Sequence, residues 1–259
     1  MGLGQYIFAQ HFSDEGIMAT GYVGPVPLVL LILFKLYFAI RNKIKIGTFI
    51  NLEKSNFYDE DGNFRKGNLV PLIGNAYANI AHVFLFTYAF KYAKMGGLNQ
   101  GVIPIVTTFA TIFNSVLFYF YFGEKLSCPK ILGMALTVSS VVFLAVDASK
   151  DNSAEATQYD FESKYAYYAL ALAMAVPFHF SFKHFLIRKY KGTYDHNFIG
   201  VDSGILETTA CSVFAIIYGL EVGFDDFPKF MLGSLSGILL VLGRVFIAFA
   251  VAEGQAGPA

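Results

Sequence analysis

The chain of 259 residues contains no tryptophan and only two cysteines, Cys128 and Cys211. Two cysteines cannot build the disulfide framework of a small secreted domain, and any aromatic belt of a membrane protein would have to come from Tyr and Phe. Acids and bases make up only 15% of the residues, whereas ordinary soluble domains contain about 25%. The formal net charge is zero, so the sequence carries no electrostatic footprint for nucleic acid.

The residue patterns of enzymes and metal sites are also missing. His82, His179 and His184 lack partners at the spacing of metal ligands. The glycines from Gly96 to Gly101 are not followed by the Lys of a phosphate-binding loop, and no serine sits in a nucleophile elbow. We therefore expect no catalytic residue, no metal and no cofactor, and we do not expect an enzyme.

Long uncharged runs dominate what is present. No acid or base lies between Lys66 and Lys91, between Lys94 and Glu124, or between Lys130 and Asp147. A helix that crosses a bilayer core needs about 20 apolar residues, and these runs are apolar on nearly every face, unlike amphipathic soluble helices. We predict an all-α, multi-pass membrane protein, with residues 1–259 forming one integral membrane domain. The seven predicted transmembrane helices are Val23–Ile40, Leu69–Phe90, one ending at Phe122, Ile131–Val146, Tyr165–Phe182, Phe198–Leu220 and Phe230–Ala252.

Basic residues alternate between the two sides that these seven helices define. One side receives Arg41, Lys43, Lys45, Lys54, Arg65, Lys66, Lys125, Lys130, Lys183, Arg188, Lys189 and Lys191. The other receives only Lys91, Lys94, Lys150, Lys164 and Lys229, together with the acidic loops. Because cytoplasmic loops are enriched in Lys and Arg, we predict that loops 41–68, 124–130 and 184–197 are cytoplasmic. Lys35 interrupts the first span, and we expect its long side chain to extend to the interface.

Several polar residues lie inside the predicted spans. Residues three or four apart share a helical face, so each of two spans presents one polar stripe. Of the later spans, Phe198–Leu220 contains the acids Asp202 and Glu207, and Phe230–Ala252 contains Arg244. An intramembrane charge costs about 2.5–3.5 kcal/mol at the helix centre, which predicts that Glu207 and Arg244 pair with each other, with solute or with water. The stripes fit either contacts between helices or a solute-binding cavity, and the two charges fit either a solute site or a purely structural ion pair. The eight candidate substrate-binding residues are Asn75, Asn79, His82, Thr107, Thr111, Asn114, Glu207 and Arg244.

An internal echo links two of the spans. Residues 89–93 read Ala-Phe-Lys-Tyr-Ala before a Gly-rich turn, and residues 248–252 read Ala-Phe-Ala-Val-Ala before another. The charges of the adjoining loops put the two segments on opposite sides of the membrane. An inverted repeat with an odd number of spans per half requires this arrangement. We therefore interpret residues 23–147 and 164–259 as partial repeats.

The region Leu69–Val146 resembles the drug/metabolite transporter superfamily, in its EamA-like group. The resemblance rests on the small-residue turn Gly97–Gly101, the early Pro104, the run Gly123-Glu124-Lys125-Leu126-Ser127 and Gly133. It implies a fold of two inverted five-helix repeats, ten helices in all, that carries small solutes by alternating access. The spans of this chain would correspond to the second through eighth helices. The sequence thus reads as a fragment lacking the first helix and the last two.

The function that these expectations favour is secondary transport of a small organic solute, such as a metabolite, a nucleotide sugar or a drug-like compound. The alternatives are a non-transporting membrane scaffold, a channel-like protein, or an inactive truncated fragment. The expected partners are the lipid bilayer and a small-molecule solute, with no nucleic acid. A homodimer is left open.

Overall fold

The computed structural model describes residues 18–51, 55–155, 163–223 and 227–253. Within these ranges the chain is helical, with no strand and only an isolated bridge between Tyr58 and Phe64. Short 3-10 turns precede the first and second helices, at Met18–Val23 and Lys66–Asn68. The helices are α1 (Pro25–Ile46), α2 (Leu69–Met95), α3 (Val102–Thr107), α4 (Phe109–Phe122), α5 (Cys128–Glu155), α6 (Ser163–Lys189), α7 (His196–Val222) and α8 (Phe227–Glu253).

Local chemistry explains several helix ends. Pro25 begins α1, where its missing N–H costs no intrahelical bond. Gly47 and Gly123 end α1 and α4 in the left-handed conformation that glycine adopts without strain. Between α3 and α4 the chain turns more tightly at Thr108, whose amide bonds to the carbonyl of Ile105. One membrane-length segment is therefore built from two helices in series.

Six helical segments are long and apolar enough to cross a membrane, among the residues that the structure describes. They run over residues 20–46, 66–95, 102–122, 164–189, 198–222 and 227–252. Their outer faces expose large apolar side chains, such as Val29, Leu33 and Phe120. An outer surface of this kind suits lipid rather than water.

The predicted span Ile131–Val146 falls within α5, which is longer than the sequence indicated and continues to Glu155. The sequence predicts an acidic loop from Asp147, but the chain is still helical there. A Cβ added at Gly133 would meet no other atom within 4 Å, so no other described part of the chain packs closely on this glycine. The helix lies at the edge of the bundle, where it packs on α3 and α4, and its role as a seventh span stays a prediction.

The centre of the bundle is formed by α2, α6 and α7. The most extensive packing joins α2 to α6, and α7 packs on α1, α2, α8 and the first 3-10 turn. One apolar core includes Phe86, Phe90, Ile103 and Val176 from α2, α3 and α6. The central helices therefore determine which polar side chains face each other inside the protein.

Polar contacts connect several helix ends on one side, which we call the basic face: residues 55–65 and 190–195 and the ends of α4, α6 and α8. Arg188 lies 3.3 Å from Glu124 Oε1 and donates to the carbonyl of Ala252 at 2.8 Å. Asn68 donates to the carbonyls of Asn56 and Thr193, at 2.6 and 2.8 Å. Loops that the alternation assigned to one side therefore do lie together.

The opposite end of the bundle joins the end of α2 to the start of α6. Gly96 approaches the backbone of Ala166 so closely that a Cβ would lie 2.4 Å from its nitrogen. The rings of Tyr92 and Tyr165 stack with centroids 5.7 Å apart. Segments 89–93 and 248–252 therefore lie at opposite ends of α6, since Ala252 contacts Arg188.

Three details of the sequence prediction differ from the structure. The predicted loop 184–197 is shorter, because α6 continues to Lys189. In the same way, α1 continues to Ile46, inside the predicted loop 41–68. Lys35 does not simply reach the interface: its ammonium lies 2.6 Å from Asp202 Oδ1, and the Lys35 side chain is 38% exposed.

Candidate functional site

The first buried polar contact lies at the centre of the bundle and connects α2 to α6. Lys183 Nζ donates to Asn79 Oδ1 at 2.9 Å, and Lys183 is only 2% exposed. One turn further along α2, the ring of His82 stacks on Phe86 and meets the edge of Phe180, both with centroids 4.5 Å away. A buried lysine is therefore held by a neutral amide rather than by an acid in this contact.

A second contact connects α4 to the residue that follows Lys183 in α6. Asn114 Nδ2 donates to His184 Nδ1 at 2.7 Å, and both residues are buried. As an acceptor, Nδ1 carries no hydrogen, so the neutral ring carries its hydrogen on Nε2. Lys183 and His184 thus connect α6 to two different helices.

The third contact is an ion pair between α7 and α8. Arg244 Nη1 is bonded to Glu207 Oε1, and each residue is 2% exposed. The pairing expected from the cost of isolated intramembrane charges is therefore present. Removing two charges from water costs several kcal/mol each, and only close pairing with further hydrogen bonds can offset this.

These three contacts belong to one group, which we call the polar cluster: Asn79, His82, Asn114, Lys183, His184, Glu207 and Arg244. Lys183 lies within electrostatic range of both Arg244 and Glu207, and His82 lies within range of Lys183 and Arg244. The cluster therefore brings α2, α4, α6, α7 and α8 together around buried charges.

The ion pair of the polar cluster, Glu207 with Arg244, lies deep in the bundle. Glu207 comes 11 residues after the start of α7, and Arg244 comes 9 residues before the end of α8. Both helix termini lie on the basic face. At about 1.5 Å per residue these positions are roughly 17 and 14 Å from that face, near the middle of a hydrocarbon core about 30 Å thick.

Several polar atoms in and beside the cluster lack a hydrogen-bond partner among the described residues. They are Arg244 Nε and Nη2, Glu207 Oε2, His184 Nε2, Asn114 Oδ1, Ser115 Oγ and Ser181 Oγ. Leaving a buried polar group unsatisfied costs about 1–3 kcal/mol, and more when it is charged. This much unmet hydrogen-bonding capacity near mid-depth suits a site that receives water or a polar solute.

The eight candidate residues do not all take part. Asn79, His82, Asn114, Glu207 and Arg244 belong to the polar cluster. Asn75 is buried but donates to the carbonyl of Pro71 in its own helix, at 2.7 Å. Thr107 donates to the carbonyl of Pro104, at 2.6 Å, and both Thr107 and Thr111 are only partly buried. Of the three candidate residues on the third span, only Asn114 therefore belongs to the polar cluster.

Lys183 and His184 were missed as site residues, because they precede the basic residues 188–191 and resemble the start of a charged loop. Their position along α6 would have identified them. The buried stripe of that helix passes through Ala169, Ala173 and Val176 and continues to Ile187. At about 3.6 residues per turn the stripe must cross 183 and 184, so the periodicity places both on the inner face.

The described residues contain no group of three or more His, Cys, Asp or Glu that could hold a metal ion. No family model, curated protein or solved structure matches this chain. The fold and the buried cluster define a class nonetheless: the chain is an α-helical, multi-pass membrane protein. Its polar residues converge inside a bundle whose outer faces are apolar.

Proposed function

We propose that this protein is a secondary transporter, which moves a small organic solute across a membrane by alternating access. The observation that carries the proposal is the polar cluster: charged and hydrogen-bonding groups from five helices meet inside the bundle, and several of their polar atoms have no partner among the described residues. Intramembrane ionisable groups of this kind typically mark solute or ion pathways. The resemblance of Leu69–Val146 to the drug/metabolite transporter superfamily points the same way.

The repeat pattern adds support. If the echo pairs α2 with α8, it also pairs α1 with α7. If each helix is replaced by its counterpart in the other repeat, the contact between α2 and α7 becomes a contact between α8 and α1. Both contacts are present in the structure. Ala89, Ala93, Ala248 and Ala252, at matching positions of the echo, are all buried. We propose inverted halves on this basis, with the solute site between them as in transporters of that construction.

The test uses the purified full chain in proteoliposomes. Solutes that raise its melting temperature in detergent are assayed for saturable uptake. We expect uptake by the natural sequence and its loss in Glu207→Leu/Arg244→Met. This double variant should still fold, since replacing a buried ion pair by apolar residues is often neutral or stabilising. The matched control is Asp59→Leu/Arg65→Met, which removes an acid and a base that interact in the exposed loop.

The two ways in which the proposal can fail are separable. A solute that binds but is not taken up would favour a membrane scaffold over a transporter. Undiminished uptake in Glu207→Leu/Arg244→Met would show that the ion pair only holds α7 and α8 together. Uptake lost equally in the control variant would indicate damage to the protein rather than to the site.

A further inference from the structure

The charges of the polar cluster do not balance. It contains two bases, Lys183 and Arg244, and one acid, Glu207, so with Lys183 protonated there is one positive charge in excess. No other Asp or Glu is hydrogen-bonded to this group among the described residues, since Asp202 is engaged by Lys35 and Tyr194. An uncompensated buried charge is expensive, so the cluster is suited to a ligand that brings one negative charge.

The geometry of Arg244 is more specific. Glu207 occupies only Nη1, while Nε and Nη2 have no partner. These two nitrogens form the side edge of the guanidinium, whose parallel N–H groups match the two oxygens of a carboxylate or phosphate. The edge that binds oxyanions in a bidentate manner is therefore the edge that the protein leaves unoccupied.

Lys183 supplies a second donor group within electrostatic range of Arg244. Its ammonium has three hydrogens, and Asn79 accepts one of them in the contact described above. A neutral amide holds the ammonium in place without cancelling its charge. Arg244 and Lys183 thus provide a fork and a point charge from α8 and α6.

We infer that the polar cluster is a binding site for a solute bearing a carboxylate or a phosphate group, held side-on by Arg244 with Lys183 supplying the second charge. The inference rests on the proposed function only in taking this cluster as the solute site. Glu207 then has two effects: it fixes Arg244 through Nη1, and its own negative charge opposes the arriving anion.

The experiment measures binding rather than transport. The purified chain in a neutral detergent is titrated at constant ionic strength with inorganic phosphate in one arm and acetate in another, with chloride and choline as the reference ions. We expect phosphate, acetate or both to raise the melting temperature saturably, whereas choline does not. The arm that saturates at lower concentration distinguishes a phosphate-bearing from a carboxylate-bearing solute.

Three variants connect this binding to the cluster. Arg244→Lys keeps the charge but removes the side edge, so the dissociation constant for the anion should rise at least about tenfold. Arg65→Lys, the same change in an exposed loop, should leave it unaltered. Glu207→Gln removes the opposing charge and should lower the dissociation constant several-fold, an effect that misfolding cannot imitate.

The inference is overturned if neither anion stabilises the protein beyond chloride. It is also overturned if Arg244→Lys binds as tightly as the natural sequence, or if Glu207→Gln binds more weakly. Failure of the transport proposal looks different. An anion that binds in this manner but is not taken up leaves the site assignment intact, whereas uptake of cationic or neutral solutes only would preserve transport and exclude an anion site.

Discussion

Tyr194 shows how one side chain joins three parts of the molecule. It lies in the short loop after α6, yet it is only 1% exposed. Its hydroxyl donates to Asp202 Oδ2 at 2.7 Å, and the other carboxylate oxygen pairs with Lys35 of α1. Asp202 therefore holds α1 and the loop against α7. A hydrogen bond to a charged group contributes about 1.5–3 kcal/mol.

The pH dependence of this contact has a definite sign. Burial chiefly, together with the nearby charge of Asp202, raises the pKa of Tyr194 above its usual value of 10.0. The folded protein therefore keeps the hydroxyl protonated at a pH where the unfolded chain loses the proton. The stability that this group contributes is complete below about pH 10 and is lost as the pH rises beyond it.

Tyr194→Phe should lower the free energy of unfolding by about 1.5–3 kcal/mol near neutral pH. It should also remove part of the loss of stability above about pH 10. The measurement is the melting temperature in detergent from neutral to strongly alkaline pH, with Tyr58→Phe in the exposed loop as the control. Identical alkaline profiles for the natural chain and Tyr194→Phe would contradict this account of Tyr194.

At the scale of elements, two glycines of the helices make opposite predictions. Gly237 of α8 faces the first 3-10 turn, and a Cβ there would lie 2.1 Å from the carbonyl oxygen of Val23. A Cβ at Gly133 of α5 would have no neighbour within 4 Å. Substitution by alanine should therefore force α8 away from the first 3-10 turn at Gly237. At Gly133 it should only improve helix propensity.

Gly237→Ala should destabilise the protein by about 1–3 kcal/mol, the usual cost of overpacking. Gly133→Ala should stabilise it by up to about 1 kcal/mol, because alanine is the better helix former. Melting temperatures of the two variants in the same detergent provide the comparison. Equal shifts of the same sign would mean that the first 3-10 turn does not pack on α8 as described.

The contact between two loops of the basic face can be tested in the same manner. Asn68 is buried and uses its amide to join the loop after α1 to the loop after α6. Asn68→Ala should cost about 1–3 kcal/mol, because two backbone carbonyls lose their donor. Asn63→Ala, which removes an exposed side-chain contact to Asp59, should cost less than about 1 kcal/mol.

Hydrogen exchange distinguishes the loss of the contact between the two loops from a general destabilisation of the protein. In Asn68→Ala, amides around residues 55–65 and 190–195 should exchange faster, while those in the middle of α2 and α6 keep their protection. Uniformly faster exchange across all helices would show that Asn68 supports the whole bundle rather than the contact between the two loops.

The same elements show which features a sequence can and cannot predict. The charges of Glu124 and Lys125 correctly placed the end of α4 at Phe122. The loop after α1 has no apolar periodicity, which is typical of a flexible connector. Its order comes from Asn56 and Asn68, which bond to residues 193–195, far along the chain. Contacts of this separation leave no local pattern. In α5, the length of the apolar run indicates how much of the helix could lie within a membrane, but it does not indicate where the helix ends. The sequence therefore did not predict that α5 continues past Asp147.

At the scale of the whole molecule, the number of apolar runs and the alternation of charge carried most of the prediction. Moving Lys183 from the loop into the bundle leaves the charge bias between the two sides intact. The pairing of Glu207 with Arg244 followed from the cost of isolated charges, which holds regardless of the fold. The partners of Lys183 and His184 could not be predicted, because they depend on which faces of α2, α4 and α6 meet. Helix packing decides that, and single-helix periodicity does not.

The side of each loop can be tested with the native cysteines. Cys128 is exposed at the start of α5, and Cys211 is buried. Cys128 should therefore react with a maleimide that cannot cross membranes, and Cys211 should not. Ile50→Cys, in the exposed loop after α1, should be labelled from the same side as Cys128. Asn99→Cys, in the exposed turn before α3, should be labelled from the opposite side; both changes are made in Cys128→Ser/Cys211→Ser.

The bias of basic residues predicts more than opposite sides. In intact cells the reagent should reach Asn99→Cys but neither Cys128 nor Ile50→Cys, and inverted vesicles should reverse this pattern. The fully reversed result would contradict only the cytoplasmic assignment of the basic face. Labelling of Asn99→Cys and Cys128 from one side would be more serious. The segment formed by α3 and α4 would then not cross the membrane, and Asn114 could not meet His184 at the depth on which the solute site depends.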